Sequence, residues 1–339
     1  MSEIYLPERI IFKRNIIKEF CPEKCEHAIL ISDSEILRNH KILDLIHRKS
    51  TMIISHVSVI VNPDVHGLYN QAAETFFSHE AEQIIAIGSG AAIDCGMLLS
   101  HESGVHFTAI PCSCASALTD FETADYYSYR HSPDTLVLDP SLTRILPSCT
   151  LAYDAMASFA FAAETIKSVD NAIVKSLAMH GAVGVYKNII PAFRGEITAL
   201  ERLMYSMYFC VASHRNAKNV HNSYLNRVSR FFADFGYSKA SVCALILPNI
   251  MEYEEAELRD GLFEIAVAVG LAQPDEDPSF ISIRMIDEIR KIQACTGIPR
   301  AVSGFSLGEK AYQSRKIHSD IPDELLDLCY YGSFKFMKI

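Results

Sequence analysis

The 339-residue sequence lacks the features that mark several protein classes. No basic run could neutralise a string of phosphates, and 31 Lys and Arg against 41 Asp and Glu give a formal charge of −10, which argues against nucleic acid as a partner. No uninterrupted apolar run approaches the roughly 20 residues that span a bilayer. The N-terminal stretch MSEIYLPERIIFKRN is interrupted by charges and lacks the apolar core of a signal peptide. We therefore predict a cytoplasmic protein without a membrane partner.

The cysteines also lack a metal-binding or disulfide pattern. Ten of them are scattered along the chain, often among apolar residues. The closely spaced pairs in CPEKC (21–25) and CSC (112–114) have no second Cys or His pair at zinc-finger distance. In a chain of this length the pattern predicts reduced thiols in a core rather than a disulfide framework.

The first 148 residues alternate short apolar runs with amphipathic stretches. Because single cores stop growing near roughly 250–300 residues, the chain is expected to form two domains. The expected strands of the first are residues 8–12, 27–33, 55–61, 83–88, 106–111 and 134–139, with a helical pattern over 67–81. This order predicts a Rossmann-like α/β domain with a mostly parallel sheet. Ligands of such sheets bind at the carboxyl ends of the strands.

The sequence from residue 149 to 339 has a different pattern. Long segments such as 151–168, 170–190 and 197–218 carry apolar residues at helical spacing, without alternating strand patterns. We therefore predict an all-α second domain and place the boundary between residues 148 and 149.

A glycine-containing turn follows the fourth expected strand in QIIAIGSGAAIDCG (83–96). Gly88, Gly90 and Gly96 do not have the spacing of the dinucleotide fingerprint G-x-G-x-x-G. The acidic residue at a strand end, Asp33, precedes the turn instead of following it. The turn alone thus fits either a phosphate-binding site or a tight connection between strand and helix.

Five segments taken in order carry a wider resemblance. They are ISDS (31–34), GSGAAID (88–94), IPCSCASALTD (110–120), TLVLDPSLTRILP (135–147) and YDAMASFAFAAE (153–164). In this order the chain resembles the superfamily of iron-containing alcohol dehydrogenases, glycerol dehydrogenases and dehydroquinate synthases over essentially its full length. The resemblance implies a dehydroquinate synthase-like fold, with a dinucleotide-binding domain over 1–148, a metal and substrate domain over 149–339, and assembly into a homo-oligomer.

The resemblance also implies a cofactor site for NAD, with NADP as the alternative. The amides of the turn would hold the pyrophosphate, aided by the positive end of the following helix, and Asp33 would accept hydrogen bonds from the adenosine ribose, which favours NAD. Family members place small hydroxyl residues along the cofactor after the next strand. The cofactor-binding residues implied in this way are Asp33, Gly88, Ser89, Gly90, Asp94, Ser113 and Ser116.

The family's divalent metal, zinc or iron, is held by an aspartate and histidines, and it polarises the substrate oxygen. Asp154 matches the aspartate, and His221 in KNVHNSYL (218–225) matches one histidine. Ser158 stands where many alcohol dehydrogenases have a further histidine, and FGYSK (235–239) stands where the last histidine is expected. The ammonium of Lys239 could replace a metal there, since it also stabilises a developing alkoxide. The implied catalytic residues are therefore Asp154, His221 and Lys239.

Three functions are compatible with these residues. The first is an NAD(P)-dependent oxidoreductase that acts on the CH–OH group of a small alcohol, polyol or aldehyde by hydride transfer. The second is a sugar-phosphate enzyme resembling glycerol-1-phosphate dehydrogenase or dehydroquinate synthase, with His214, Arg215 and Lys218 as a phosphate-binding cluster. The third is a catalytically silent relative that keeps the nucleotide site. In each of the three, the protein binds a small molecule.

Overall fold

The computed structural model describes most of the chain. The described residues are 4–20, 22, 25–33, 53–59, 65–88, 90–113, 132–144, 146–217 and 222–332, with the backbone only at 33, 53–54, 56–59 and 65–66. The chain divides into two compact units, Met1–Pro147 and Ser148–Ile339. Four of the predicted site residues, Ser89, Ser116, Lys218 and His221, lie outside the described residues, as does the side chain of Asp33.

The first unit contains a parallel six-stranded sheet, which confirms the predicted α/β class. The strand order is β1-β6-β5-β4-β2-β3, and every neighbouring pair is parallel. The strands are β1 Arg9–Phe12, β2 His27–Asp33, β3 Ile53–Val59, β4 Gln83–Gly88, β5 His106–Pro111 and β6 Thr135–Leu138. β3 begins two residues before its predicted start because all seven residues of β2 pair with it, from His27 opposite Ile53 to Asp33 opposite Val59.

The central strands are apolar because both faces of the sheet are covered. All six residues of β4 are buried, and Ile29, Leu30 and Ile31 of β2 have no exposed surface. Such continuous apolar runs are typical of parallel sheets. The helices among the described residues of this unit are α1 Val65–Ser78, α2 Gly90–Ser103 and α3 Pro140–Thr143, with a 3₁₀ turn over Ile16–Lys18.

The aspartate of the Asp-Pro pair after β6 has a structural role. Asp139 has no exposed surface, and its carboxylate caps α3 by accepting from the Ser141 N–H at 2.9 Å and from the Ser141 hydroxyl at 2.7 Å. It also accepts from the backbone N–H groups of Asn15 at 2.8 Å and Ile17 at 3.1 Å. One side chain thereby connects the segment after β1 to the segment after β6.

The described residues of the second unit fold into helices, which confirms the predicted all-α class. The helices are α4 Ser148–Ser168, α5 Ala172–Phe193, α6 Ile197–Asn216, α7 Tyr224–Ala233, α8 Lys239–Tyr253, α9 Glu255–Val269, α10 Pro278–Thr296, α11 Glu309–Lys316 and α12 Asp323–Tyr331. α4 lies at the centre of this unit, since α5, α6, α8 and α9 all pack against it. Every residue from Leu151 to Ile166 except Tyr153 is buried.

Two further predictions concern the whole chain. Each of the eight cysteines that the structure describes is a free thiol, as the scattered pattern predicts, but only five of them are buried, since Cys149 and Cys295 are exposed and Cys25 is half-buried. Within the described residues, no helix combines the length and the apolar character needed to cross a membrane.

Candidate active site

The carboxyl ends of three central strands meet at one edge of the sheet. In the register of β2 with β4, Ser32 lies opposite Ile87, and in that of β4 with β5, Gly88 lies opposite Pro111. The Cys112 N–H donates to the Gly88 carbonyl at 2.8 Å. Asp33 and Gly88, which end adjacent strands, and Ser113, which follows the third strand, are therefore brought to the same edge, as the resemblance implies for a cofactor site.

This edge includes the point where the strand order reverses. From β2 the chain continues to β3 on one side, whereas from β4 it continues to β5 and then β6 on the other side. In open parallel sheets the loops after two such strands diverge and leave a crevice, which is where ligands bind. Gly88 is the last residue of β4, one of these two strands.

The backbone of the turn requires glycine and is well suited to an anion. Gly88 has φ +146°, a conformation that L side chains rarely adopt. α2 begins at Gly90, and its first turn carries no acidic side chain. The amide groups at the start of a helix lack intrahelical acceptors and carry partial positive charge, so this end of α2 can bind a phosphate group.

Gly96, the third glycine of the motif, serves packing. A Cβ atom there would lie 2.6 Å from Phe107 Cε2 and 3.1 Å from the Ala86 Cβ, so the missing side chain lets α2 approach β4 and β5 closely. Two residues earlier, Asp94 has no exposed surface. Burial, together with the charge of Asp94, raises the pKa of the adjacent Cys95 thiol to about 12.

In the helical unit, Asp154 is buried with 4 % of its surface exposed. The sequence predicts a helical segment from residue 151, but α4 begins at Ser148, so Asp154 lies in the second turn and is not a cap. Ser158, one turn further, has no exposed surface, and its hydroxyl donates to the Asp154 carbonyl at 2.8 Å. The Ser158 hydroxyl is thus hydrogen-bonded within its own helix.

Lys239 is the first residue of α8, after the N-cap Ser238, and only 3 % of its surface is exposed. An aromatic contact that the sequence does not indicate connects this region with the Asp154 end of α4. The Phe305 ring stacks on Tyr237 at 5.1 Å and contacts Tyr153 at 6.0 Å. The Tyr237 hydroxyl also donates to the Phe305 carbonyl at 2.8 Å. Since α8 packs against α4, both candidate catalytic residues lie on elements in contact.

His214 of α6 is placed further along α4. Its ring stacks on Phe161 with 4.7 Å between ring centroids, and its Nδ1 lies 3.5 Å from the Thr165 hydroxyl. Phe161 and Thr165 are two and three turns beyond Asp154 on one face of the helix. His214 therefore packs against the apolar middle of α4.

The described residues do not by themselves form a metal centre. No group of three or more His, Cys, Asp or Glu side chains among them could hold a metal ion. Asp154 supplies a carboxylate, while Lys239 supplies a positive charge that cannot ligate a metal. His221, which the resemblance implies as a metal ligand, lies outside the described residues.

A cavity of about 840 Å³ lies beside α7. Two of its arginines are held by aspartates: the Arg227 guanidinium lies 3.1 Å from the Asp320 carboxylate, and Arg315 binds Asp234. The charged and polar lining residues are Asn222, Arg227, Arg230, Asp234, Ser314, Arg315, His318, Ser319 and Asp320. Three arginines and two aspartates are thus among the described residues of this lining.

Comparison with known proteins confirms the resemblance at the level of the fold. A solved 1,3-propanediol oxidoreductase superposes with a TM-score of 0.79 at 18 % identity, over 94 % of this chain and 92 % of that one. An iron-containing alcohol dehydrogenase from Corynebacterium glutamicum gives a TM-score of 0.74 at 14 % identity, over 97 % and 98 % of the two chains. The chain therefore has the two-domain fold of the iron-containing alcohol dehydrogenases.

The similarity in sequence covers less of the chain than the similarity in fold. No protein-family model matches the chain. A curated maleylacetate reductase from Burkholderia cepacia is 24 % identical over 204 residues, which are 57 % of this chain and 57 % of that protein. The match thus spans little more than half the length of the relative.

Proposed function

We propose that the protein is an NAD-dependent oxidoreductase that transfers hydride between the cofactor and the CH–OH carbon of a small alcohol, polyol or aldehyde. The observation that carries this proposal is the position of the glycine turn. Gly88, with its positive φ, ends the strand at the reversal of strand order, in a fold shared with solved alcohol and propanediol oxidoreductases. NADP is the alternative cofactor, and the homo-oligomer and the cytoplasmic location stay predictions.

The α/β unit would hold the cofactor. The amides of Gly88, Ser89 and Gly90 and the start of α2 suit the pyrophosphate. The carboxylate of Asp33, on the strand next to β4, would accept hydrogen bonds from the adenosine ribose. Asp94, Ser113 and Ser116 complete the proposed set. NAD supplies the hydride acceptor.

The helical unit would act on the substrate oxygen. Asp154 and His221 are the proposed side chains for a divalent metal, zinc or iron, which when bound would polarise that oxygen. Lys239 is proposed to stabilise the negative charge that develops there, because an ammonium in a site shielded from water interacts strongly with an oxyanion. The burial of Lys239 supports this role.

NAD titration and metal analysis of protein purified without chelators test the proposal. We expect saturable NAD binding that Gly88→Ala weakens at least tenfold, because alanine is strained at this φ. The matched control is Gly308→Ala, where the new methyl group meets nothing within 4 Å, and it should leave binding unchanged. NAD binding with one metal per chain supports the metal-assisted enzyme. NAD binding without metal and without turnover of any alcohol supports the silent relative, and no NAD binding contradicts the proposal.

A second candidate is a dehydrogenase of an anionic substrate, such as a sugar phosphate or an oxo acid. Two observations favour it: the three arginines that line the cavity beside α7 and the similarity to a protein named maleylacetate reductase. Turnover should then be faster with a phosphorylated or carboxylated substrate than with the neutral polyol of equal length. Arg230→Gln should raise KM for the anionic substrate and leave KM for NAD unchanged.

A further inference from the structure

A buried cluster of charged side chains lies at the far end of α4 from Asp154. We name it the Glu164 cluster, and its members are Glu164, Lys167, Ser223, Glu254 and Glu257. The Lys167 ammonium lies 2.6 Å from Glu254 Oε1, 3.4 Å from Glu257 Oε2 and 3.9 Å from Glu164 Oε1. Glu164 and Glu254 are nearly inaccessible, with 4 % and 5 % of their side chains exposed, whereas Glu257 is 68 % exposed.

The charges of this cluster do not balance if every carboxyl is ionised. One ammonium would then face two buried carboxylates and the exposed Glu257. Buried charge that is not fully compensated costs several kcal/mol. In addition, Glu254 Oε2 is buried and has no hydrogen-bond donor among the described residues, although Oε1 is paired with Lys167.

A proton on Glu164 resolves both problems. Burial is the main cause that raises the pKa of this carboxyl to about 7; Lys167 opposes the shift, whereas Glu254 adds to it. Glu164 and Glu254 are within hydrogen-bonding reach of each other, and the Ser223 hydroxyl bonds Glu164 as well. For Lys167, burial lowers the pKa, but the carboxylates raise it further, so the ammonium stays charged.

We propose that Glu164 carries a proton at neutral and acidic pH, donates it to Glu254 Oε2, and thereby joins α4 to the junction of α8 and α9. Protonated Glu164 offers this donor to Glu254 and keeps an acceptor for Ser223, the N-cap of α7, whose hydroxyl oxygen accepts from the Asn226 N–H at 3.2 Å. Above neutral pH the proton is lost, two carboxylates face each other, and the contact of α4 with this junction is loosened.

Four titratable groups lie around Glu164 in the described part of the chain. They are Lys167 of its own helix, Glu254 at the junction of α8 and α9, Glu257 of α9 and, next to Glu254, Tyr253 of α8. From α6, His214 contacts the neighbouring Thr165. The proton on Glu164 does not depend on the proposed function.

The first test follows unfolding in urea between pH 5 and 8 for the full chain. The folded protein holds a proton that the unfolded chain, with a Glu pKa near 4.5, releases. Stability should therefore fall as pH rises, and the unfolding constant should increase by up to about tenfold per pH unit until the pKa near 7 is passed. Glu164→Gln should abolish this dependence, because the amide offers the same donor and acceptor without titrating. The control Glu257→Gln should retain it.

A second measurement follows the proton through the Ser223 contact. In wild-type protein the backbone amide of Asn226, which donates to the Ser223 hydroxyl, should report, by NMR, a titration near pH 7, and it should be silent in Glu164→Gln. If Glu164→Gln does not fold, Glu254→Gln is used, where the loss of the negative charge at residue 254 should move the titration to acidic pH. An unfolding profile of Glu164→Gln that follows the wild type, or a Glu164 carboxyl that titrates near 4.5, would overturn the proposal. These readouts require no NAD binding, so they separate it from the proposed function.

Discussion

The α/β unit and the helical unit present their functional groups in different ways. In the α/β unit the candidate site is largely backbone, since Gly88, Gly90 and the start of α2 occupy the carboxyl edge of the sheet. In the helical unit the candidate groups are ionisable side chains, Asp154 and Lys239, that are almost fully buried. The position of a backbone site is fixed by the order of the strands and by glycine. The properties of a side-chain site depend on which residues of other helices surround each charged group.

The strongest test of the α/β unit concerns Asp139, which connects chain segments rather than binding a ligand. Asp139→Ala leaves the donors of Asn15, Ile17 and Ser141 without their acceptor, which should destabilise the unit by about 3 kcal/mol or more. Asp139→Asn keeps an oxygen for the three bonds made by Oδ1 and should cost about a third as much. Urea unfolding measures both, and equal losses for the two variants would contradict this account.

In the helical unit the largest effect is expected at Lys239. Lys239→Met removes the charge and keeps the length of the side chain, so turnover should fall about 100-fold, or about 2.7 kcal/mol in transition-state stabilisation. Lys239→Arg keeps the charge and should lose less. Steady-state kcat with saturating NAD is the measurement, with NAD affinity as the control. Unchanged turnover in an active preparation shows that Lys239 does not act on the substrate oxygen.

A smaller effect tests how closely α2 approaches the sheet. In Gly96→Ala the new methyl group meets the buried Phe107 ring at 2.6 Å, and overpacking of this kind costs about 1–3 kcal/mol. NAD affinity should fall as well if α2 shifts away from the turn. Gly308→Ala adds the same methyl group in open space and should leave NAD affinity unchanged. A stable Gly96→Ala variant shows that the ring moves aside without cost.

The fold could be predicted from the sequence because each strand of the sheet is a short apolar run and each long helix an apolar pattern of helical period. The meeting of Asp33 and Gly88 at one edge also follows, since parallel strands end on the same side. The sequence predicts the start of β3 two residues too late, because the ends of this strand are set by its pairing with β2. The one local sign of the Glu164 cluster in the sequence is a charged residue within the apolar segment FAFAAETI.

The contacts of the helical unit could not be predicted in this way. Phe305 contacts Tyr153 and Tyr237 across 152 and 68 residues of sequence, and Glu254 reaches Lys167 across 87. No local pattern encodes such contacts, because they arise only when helices with similar apolar faces choose their neighbours. The start of α4 at Ser148 shows the same limit, since an apolar run indicates that a helix exists more reliably than where it begins.

The smallest expected effect concerns the aromatic contact between these helices. Tyr237→Phe removes the hydroxyl that donates to the Phe305 carbonyl and keeps the stacked ring, so stability should fall by about 1 kcal/mol. Tyr237→Leu removes the ring contact as well and should cost more, with a loss of turnover if Phe305 helps to place Asp154 and Lys239. Unfolding and kcat are measured on both variants. Because the hydroxyl only anchors the ring, Tyr237→Phe should retain nearly full turnover. If Tyr237→Phe instead loses as much turnover as Tyr237→Leu, the effect comes from the hydrogen bond and not from the stacked rings.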